Sequence, residues 1–286
     1  MPRPVIGVIG ALSDDTILIA RRTLHPGATV HATQSTELGG RAANIAIAIS
    51  RYSRQKPDTD DGLLPEDHVD DESNNEIPDV RMVGAVVDEE RQEEFASWLA
   101  RNGVNPTGVE VVEGEYTDQD RLTSIFDGRL GRSQQLNSTG VSQNWTKESF
   151  NTIERLAGGK RPDLIVVTME LHRDILGHIL MLAAKEAIDV VVYASPGAVL
   201  LEDHYRKIGH LVGSEGDAAV ILGRGHDEIA VDHWPVMCEE LYAYKDIRDV
   251  VLKTGHFGAF FKNDEEEGFI SGYQRRSDVV DSSGST

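Results

Sequence analysis

The stretch DLIVVTMELHRDILGHILMLAAKEAIDVVVY, residues 163–193, decides the fold. It opens on Asp163-Leu164-Ile165-Val166-Val167, a short apolar run that reads as a buried strand. A helical pattern follows over residues 172–186, and a second apolar run, Asp189 to Tyr193, is the next strand. Strands joined through a helix run parallel, and parallel strands are buried on both faces, which is why these runs are almost wholly apolar.

The same alternation extends outward in both directions. Towards the N-terminus, Val5-Ile6-Gly7-Val8-Ile9 is a strand, and residues 42–49 form a helix entered through Gly39-Gly40, with Ile45, Ala46 and Ile49 on one face. Residues 80–87 are a strand, and residues 89–102 a helix closed by Gly103, with Phe95, Trp98 and Leu99 at helical spacing. Residues 109–112 and 120–126 are expected to pair around a turn at 113–117. Towards the C-terminus come a helix at 202–208, a strand at 210–212, a helix at 236–245, and strands at 249–254 and 258–262 with a hairpin at 263–268. The pattern is that of an α/β fold, a doubly wound parallel sheet with helices on both faces. Ligands of such sheets sit beyond the carboxyl ends of the strands, so the residues just after each strand carry the functional reading.

Composition limits the alternatives. A chain of 286 residues with 40% hydrophobic content can bury one large core, and residues 1–286 are read as a single domain. The lone cysteine, Cys238, excludes an intramolecular disulfide framework and suits a reducing compartment. No apolar run approaches the ~20 residues of a membrane span, and no secretory leader is evident, so a cytoplasmic protein is expected. A net charge of −20 disfavours nucleic acid. Much of that charge lies between Asp58 and Asp79, where acids accumulate without any Lys or Arg, and residues 53–79 are expected to be a disordered acidic insertion.

The strand ends carry specific chemistry. After the first strand comes Gly10-Ala11-Leu12-Ser13-Asp14-Asp15, and the carboxylate of Asp15 can accept two hydroxyl donors from a diol. In Leu38-Gly39-Gly40-Arg41-Ala42-Ala43-Asn44-Ile45-Ala46, two glycines let the backbone close on a small ligand, and Asn44 can bridge hydroxyls by donating and accepting. Glu170 follows the strand at 163–167, and Ala194-Ser195-Pro196-Gly197-Ala198 follows the one at 189–193. Further along stand Gly213-Ser214-Glu215-Gly216-Asp217-Ala218, Lys253-Thr254-Gly255-His256-Phe257-Gly258 and the small-residue turn Asp281-Ser282-Ser283-Gly284-Ser285-Thr286. No P-loop, zinc signature, nucleophile elbow or dinucleotide fingerprint is evident.

Together these segments resemble the ribokinase-like (PfkB) family of sugar and nucleoside kinases, over most of the chain outside 53–79. The resemblance implies ATP-dependent phosphorylation of a primary hydroxyl on a sugar or ribosyl compound, with Mg²⁺. It gives Asp15, Gly39, Gly40, Asn44 and Glu170 to the acceptor, with Arg41 where ribokinases usually have Lys. Ser214, Asp217, Thr254, Gly255 and Gly258 fall to the nucleotide, and Asp217 to the metal through water. Ser214 and Asp217 stand where the family has Asn and Glu. A small β-sheet lid over the sugar is expected from residues 11–38 and 107–130. The terminal turn matches the start of D-[TS]-[TS]-G-A-G-D, with Gly284 in an anion hole and the catalytic base one position past Thr286. Three readings follow: a kinase by descent whose base is absent from the sequence, a non-catalytic sugar- or nucleoside-binding regulatory protein, or an incomplete gene model of an ordinary kinase. The identity of the acceptor, the oligomeric state and any monovalent-cation dependence stay open.

Overall fold

The strand–helix alternation resolves into two sheets in the computed structural model, which describes residues 2–20, 29–54, 77–127, 133–195, 199–225 and 233–272. In chain order the strands are β1 (Val5–Ile9), β2 (Ser13–Ala20), β3 (Ala32–Gly39), β4 (Asp79–Val86), β5 (Asn105–Val111), β6 (Asp120–Asp127) and β7 (Ser133–Ser138). They continue with β8 (Leu164–Thr168), β9 (Asp189–Tyr193), β10 (His210–Ser214), β11 (Asp249–Lys253), β12 (Gly258–Lys262) and β13 (Glu267–Ser271). The helices are α1 (Arg41–Tyr52), α2 (Glu89–Arg101), α3 (Arg173–Lys185), α4 (Glu202–Tyr205), α5 (Glu215–Ile221) and α6 (Trp234–Lys245).

Among the described residues the larger sheet runs β13-β12-β11-β10-β9-β8-β1-β4-β5, parallel from β11 through β5 and closed at one edge by the antiparallel hairpin β12–β13. Period-2 alternation sends neighbours to opposite faces. Ile9, Ile165 and Val167 pack with Leu176, Ile179 and Leu180 of α3, while Val8 and Val166 pack with Ala42, Ala43 and Ala46 of α1 and with Phe95 and Leu99 of α2. The three buried alanines bring the backbone of α1 close to the sheet, and that proximity sets where its first turn meets the strand ends.

The second sheet has the order β3-β2-β6-β7. Its strands come from residues 13–20, 32–39, 120–127 and 133–138. The expected hairpin between 109–112 and 120–126 is corrected here: β5 pairs with β4 in the large sheet, and β6 pairs with β2 and β7 in the small one. Residues 107–111 therefore do not contribute to a lid. The alternation that places Val109 in the core of the large sheet leaves its edge as β5's position, and Asp120 begins a separate strand.

Helix ends also differ from the sequence expectation. α4 stops at Tyr205, because Lys207 and Ile208 donate to His204 and Tyr205 three residues back and the chain then enters the sheet through Gly209. α6 starts at Trp234, with Pro235 accommodated in its first turn where no donor is needed. Of the acidic insertion expected at 53–79, residues 55–76 lie outside the described residues, and Asp79 already belongs to β4. No helix among the described residues is long and apolar enough to cross a membrane.

Candidate functional site

The carboxyl ends of β1, β8, β9, β10 and β11 open on the same side, where the small sheet joins the large one through β1–β2 and β3–α1. Asp15 sits on β2, two residues into the strand. Ser13 Oγ donates to its Oδ1 at 2.6 Å, and the Gly40 backbone amide supports it as well. Burial nevertheless raises its pKa above the usual carboxylate range, with Asp14 and Glu37 pushing the same way. Gly39 lies against this carboxylate so closely that a Cβ there would overlap it, and Gly40 holds φ at 108°, a conformation that favours glycine. The Gly39-Gly40 pair thus lets β3 pass Asp15 and turn into α1.

Asn44 lies in the first turns of α1, its backbone N–H donating to Gly40 O at 2.9 Å. Asp15 and Asn44 line one end of a cleft of ≈ 520 Å³ that runs along α1 to Trp98 and Asn102 of the α2 end. On the other side of the α1 N-terminus, Arg41 Nη1 donates to Ser195 Oγ at 2.7 Å and lies 3.5 Å from Glu170 Oε1. Thr168 Oγ1 donates to Glu170 Oε2 at 3.2 Å. Burial raises the pKa of Glu170, against the pull of Arg41 and Thr168, and the charges of Asp120 and Asp15 add to the rise. Asp15, Asn44, Arg41 and Glu170 are thus gathered around the start of one helix.

The second group lies at β10 and β11. Ser214 caps α5: its N–H and Oγ both give hydrogen bonds to Asp217 Oδ2, at 2.8 and 2.7 Å, and Asp217 N–H returns one to Ser214 Oγ at 3.2 Å. This reciprocal capping box uses one carboxylate oxygen. The other, Asp217 Oδ1, is buried without a hydrogen-bond partner. Thr254 is buried, and its N–H and hydroxyl both donate to Gly258 O, at 2.8 and 2.9 Å. Gly255 at φ 59° and Gly258 at φ 126° make the tight turn between β11 and β12. The terminal turn 281–286, with Gly284, lies outside the described residues, as do Pro196, Gly197 and Ala198.

Two residues that the motifs did not single out connect these groups. Tyr193, the last residue of β9, has the Arg41 guanidinium 5.9 Å from its ring centroid and the Lys253 ammonium 4.6 Å from it. Lys253 Nζ also donates to the Tyr193 hydroxyl. Both residues end parallel strands, and the strand-end rule would have found them.

The resemblance implies an Mg²⁺ ion. Asp217 Oδ1 offers one buried acceptor that needs a donor, which fits a contact through water and not a directly ligated ion. Among the described residues no group of three or more His, Cys, Asp or Glu is placed to hold a metal.

No family model matches the chain. It is 23% identical over 261 residues to a ribokinase of Schizosaccharomyces pombe, an alignment covering 90% of this chain and 74% of that protein. Among solved structures it is similar to a ribokinase from Giardia lamblia, with a TM-score of 0.71, 15% identity and coverage of 96% and 76% of the two chains. A ribokinase from Arabidopsis thaliana, complexed with ribose and ATP, gives a TM-score of 0.66 at 16% identity, covering 95% and 78%. The resemblance read in the motifs is borne out by these likenesses.

Proposed function

We propose that this chain, whose fold is that of the ribokinase-like (PfkB) kinases, binds a sugar or ribosyl compound where its two sheets meet and serves ATP-dependent phosphorylation of a primary hydroxyl. One observation carries the reading. Asp15 is a part-buried carboxylate with no Lys, Arg or His in ion-pair reach among the described residues, and its charged neighbours are the acids Asp14 and Glu37. A part-buried carboxylate without a counter-ion is costly, and such groups concentrate at ligand-binding sites. The donors that fit two carboxylate oxygens beside an amide side chain are the hydroxyls of a polyol.

In this reading Asp15 and Asn44 hold the sugar, Gly39 and Gly40 give it room, and Glu170, tethered by Arg41, borders it. Thr254, Gly255 and Gly258 shape the turn that would face the nucleotide, with Ser214 and Asp217 beside it. ATP supplies the phosphoryl group, and Mg²⁺, reached from Asp217 through water, would neutralise its charge. Phosphoryl transfer needs positioning and charge stabilisation more than covalent help from the protein, so a rigid strand-end site suits it. Lys253, anchored on Tyr193, adds a cation between the two groups.

A second reading, a non-catalytic sugar- or nucleoside-binding protein, is favoured by one specific feature: Ser214 Oγ and Asp217 Oδ2 are engaged with each other. The two separate in a coupled ADP-release assay over a panel of pentoses and nucleosides, run beside calorimetry on the same panel. The chain of residues 1–286 and a longer chain supplying a family-type Asp after Thr286 are both assayed. Sugar-dependent turnover by either supports the kinase; binding without turnover in both supports the second reading; neither binding nor turnover refutes the site.

A further inference from the structure

Tyr193 touches both halves of the site and belongs to neither. It ends β9 beside Val212 of β10, while Lys253 ends β11 beside Ser214 of β10. Paired residues of neighbouring strands point the same way and alternate residues share a face, so Tyr193, Val212, Ser214 and Lys253 stand on one face of the sheet. It is the face that α1 covers, because Val191, on the Tyr193 side of β9, packs against the cluster that holds Ala42, Ala43 and Ala46. Lys253 therefore reaches back across β10 to bring its ammonium 4.6 Å from the Tyr193 ring centroid and to donate to its hydroxyl. Arg41, the first residue of α1, comes to the same ring from the helix, its guanidinium 5.9 Å from the centroid.

The two cations have different attachments. Arg41 belongs to the acceptor half, where it donates to Ser195 Oγ and lies 3.5 Å from Glu170 Oε1. Lys253 belongs to the nucleotide half: Glu215, in the first turn of α5, has its pKa raised by burial, and the charge of Lys253 opposes that rise. Among the described residues no carboxylate is in ion-pair reach of Lys253. An ammonium without a counter-ion attracts an anion, and neutralising it relieves the repulsion it exerts on the guanidinium that shares its ring. Holding either side chain also orders the ring that the other uses, so part of the ordering cost of the second ligand is met by the first.

We propose that Tyr193 is a positioning residue that couples the two halves. An acceptor held against Glu170 and Arg41 and a polyphosphate anion drawn to Lys253 each bind more tightly in the presence of the other, because both act on one ring. This rests on the proposed acceptor and nucleotide sites and adds the link between them.

The test is calorimetry on the full chain with the β,γ-imido analogue of ATP, which does not transfer its terminal phosphoryl group, and with the tightest binder from the pentose and nucleoside panel. Each is titrated alone and with the other at saturation. Coupling of binding is reciprocal, so each ligand should tighten the other by the same factor, about fivefold or more. Tyr193→Leu removes ring and hydroxyl and should bring that factor close to one. Tyr193→Phe, which keeps the ring for both cations, should restore most of it. A merely structural role would weaken each ligand alone and leave the factor unchanged. Lys253→Met should weaken the analogue and also abolish the factor. Thermal melts establish that each variant is folded; if Tyr193→Leu is not, Lys253→Met and Tyr193→Phe decide. A factor of one in the wild type, or a wild-type factor in both Tyr193→Leu and Lys253→Met, overturns the coupling and leaves the two sites standing. If no panel member binds, the acceptor site itself is refuted, and if the analogue does not bind, the nucleotide site is; in either case the coupling falls with it.

Discussion

At the scale of single residues, the site keeps ionisable groups under conditions that oppose their charge. Burial raises the pKa of Asp15 although Ser13 and Gly40 donate to it. A folded pKa above the unfolded one means that the ionised group destabilises the fold. Asp15 contributes most favourably below the unfolded value of 3.8, and that contribution is lost as pH rises through the folded pKa. Asp15→Asn should therefore melt at a higher temperature than the wild type at pH 7, with the difference fading as pH falls towards 3.8, and should bind sugar more weakly at every pH. Thermal melts at pH 4 and pH 7 check this; a variant less stable at pH 7 would mean that Ser13 and Gly40 outweigh burial. Asp15, Gly39, Gly40 and Asn44 were legible in the sequence because they fall in two short motifs and the glycine pair brings them together locally. Tyr193 and Lys253 each end a parallel strand, where the strand-end rule points, but their contact with each other crosses β10, a strand from elsewhere in the chain, and no local spacing encodes that pairing.

At the scale of elements, periodicity found the buried helices and parallel strands, since burial on both faces leaves a nearly unbroken apolar run. It paired β5 with β6 wrongly, because two short runs with a turn between them look the same whether they form a hairpin or part into different sheets. The segment 141–157 is three 3₁₀ turns, too short to show a repeat, tied down by Asp120, which accepts hydrogen bonds from Gly140 N–H, Ser142 N–H and Ser142 Oγ. α2 is the element whose setting matters most for the far end of the cleft. Its N-cap is Asp88, whose Oδ1 accepts from Arg91 N–H at 2.8 Å, with Glu89 and Glu90 in the first turn. Asp88→Ala should cost about 1 kcal/mol of stability in a denaturant titration, while Asp88→Asn should recover most of it. An unchanged midpoint in the alanine variant would show that packing of Phe95 and Leu99 alone fixes the helix.

At the scale of the whole molecule, the doubly wound layout makes one face of the large sheet a continuous core from β1 to β11, and Cys238 reports on it. The thiol is fully buried on α6, among Met237, Leu241, Val250 and Leu252, and its S–H points to Val250 O at 3.8 Å. Burial pushes its pKa up to about 12, so in the folded protein neither access nor thiolate is provided to an electrophile. Reaction with a thiol reagent must wait for an opening that frees α6 from β11. Because α6 belongs to the same apolar cluster as α3 and the central strands, that opening should be close to global unfolding. The labelling rate at pH 8 should then be negligible in native buffer and rise through the same denaturant midpoint as the loss of helical circular dichroism. Since Cys238 is the single cysteine, the signal needs no assignment. Rapid labelling well before that midpoint would mean that α6 and the β11–β13 edge open as a separate unit, and that the turn at Thr254 rests on a less stable foundation than the Asp15 site.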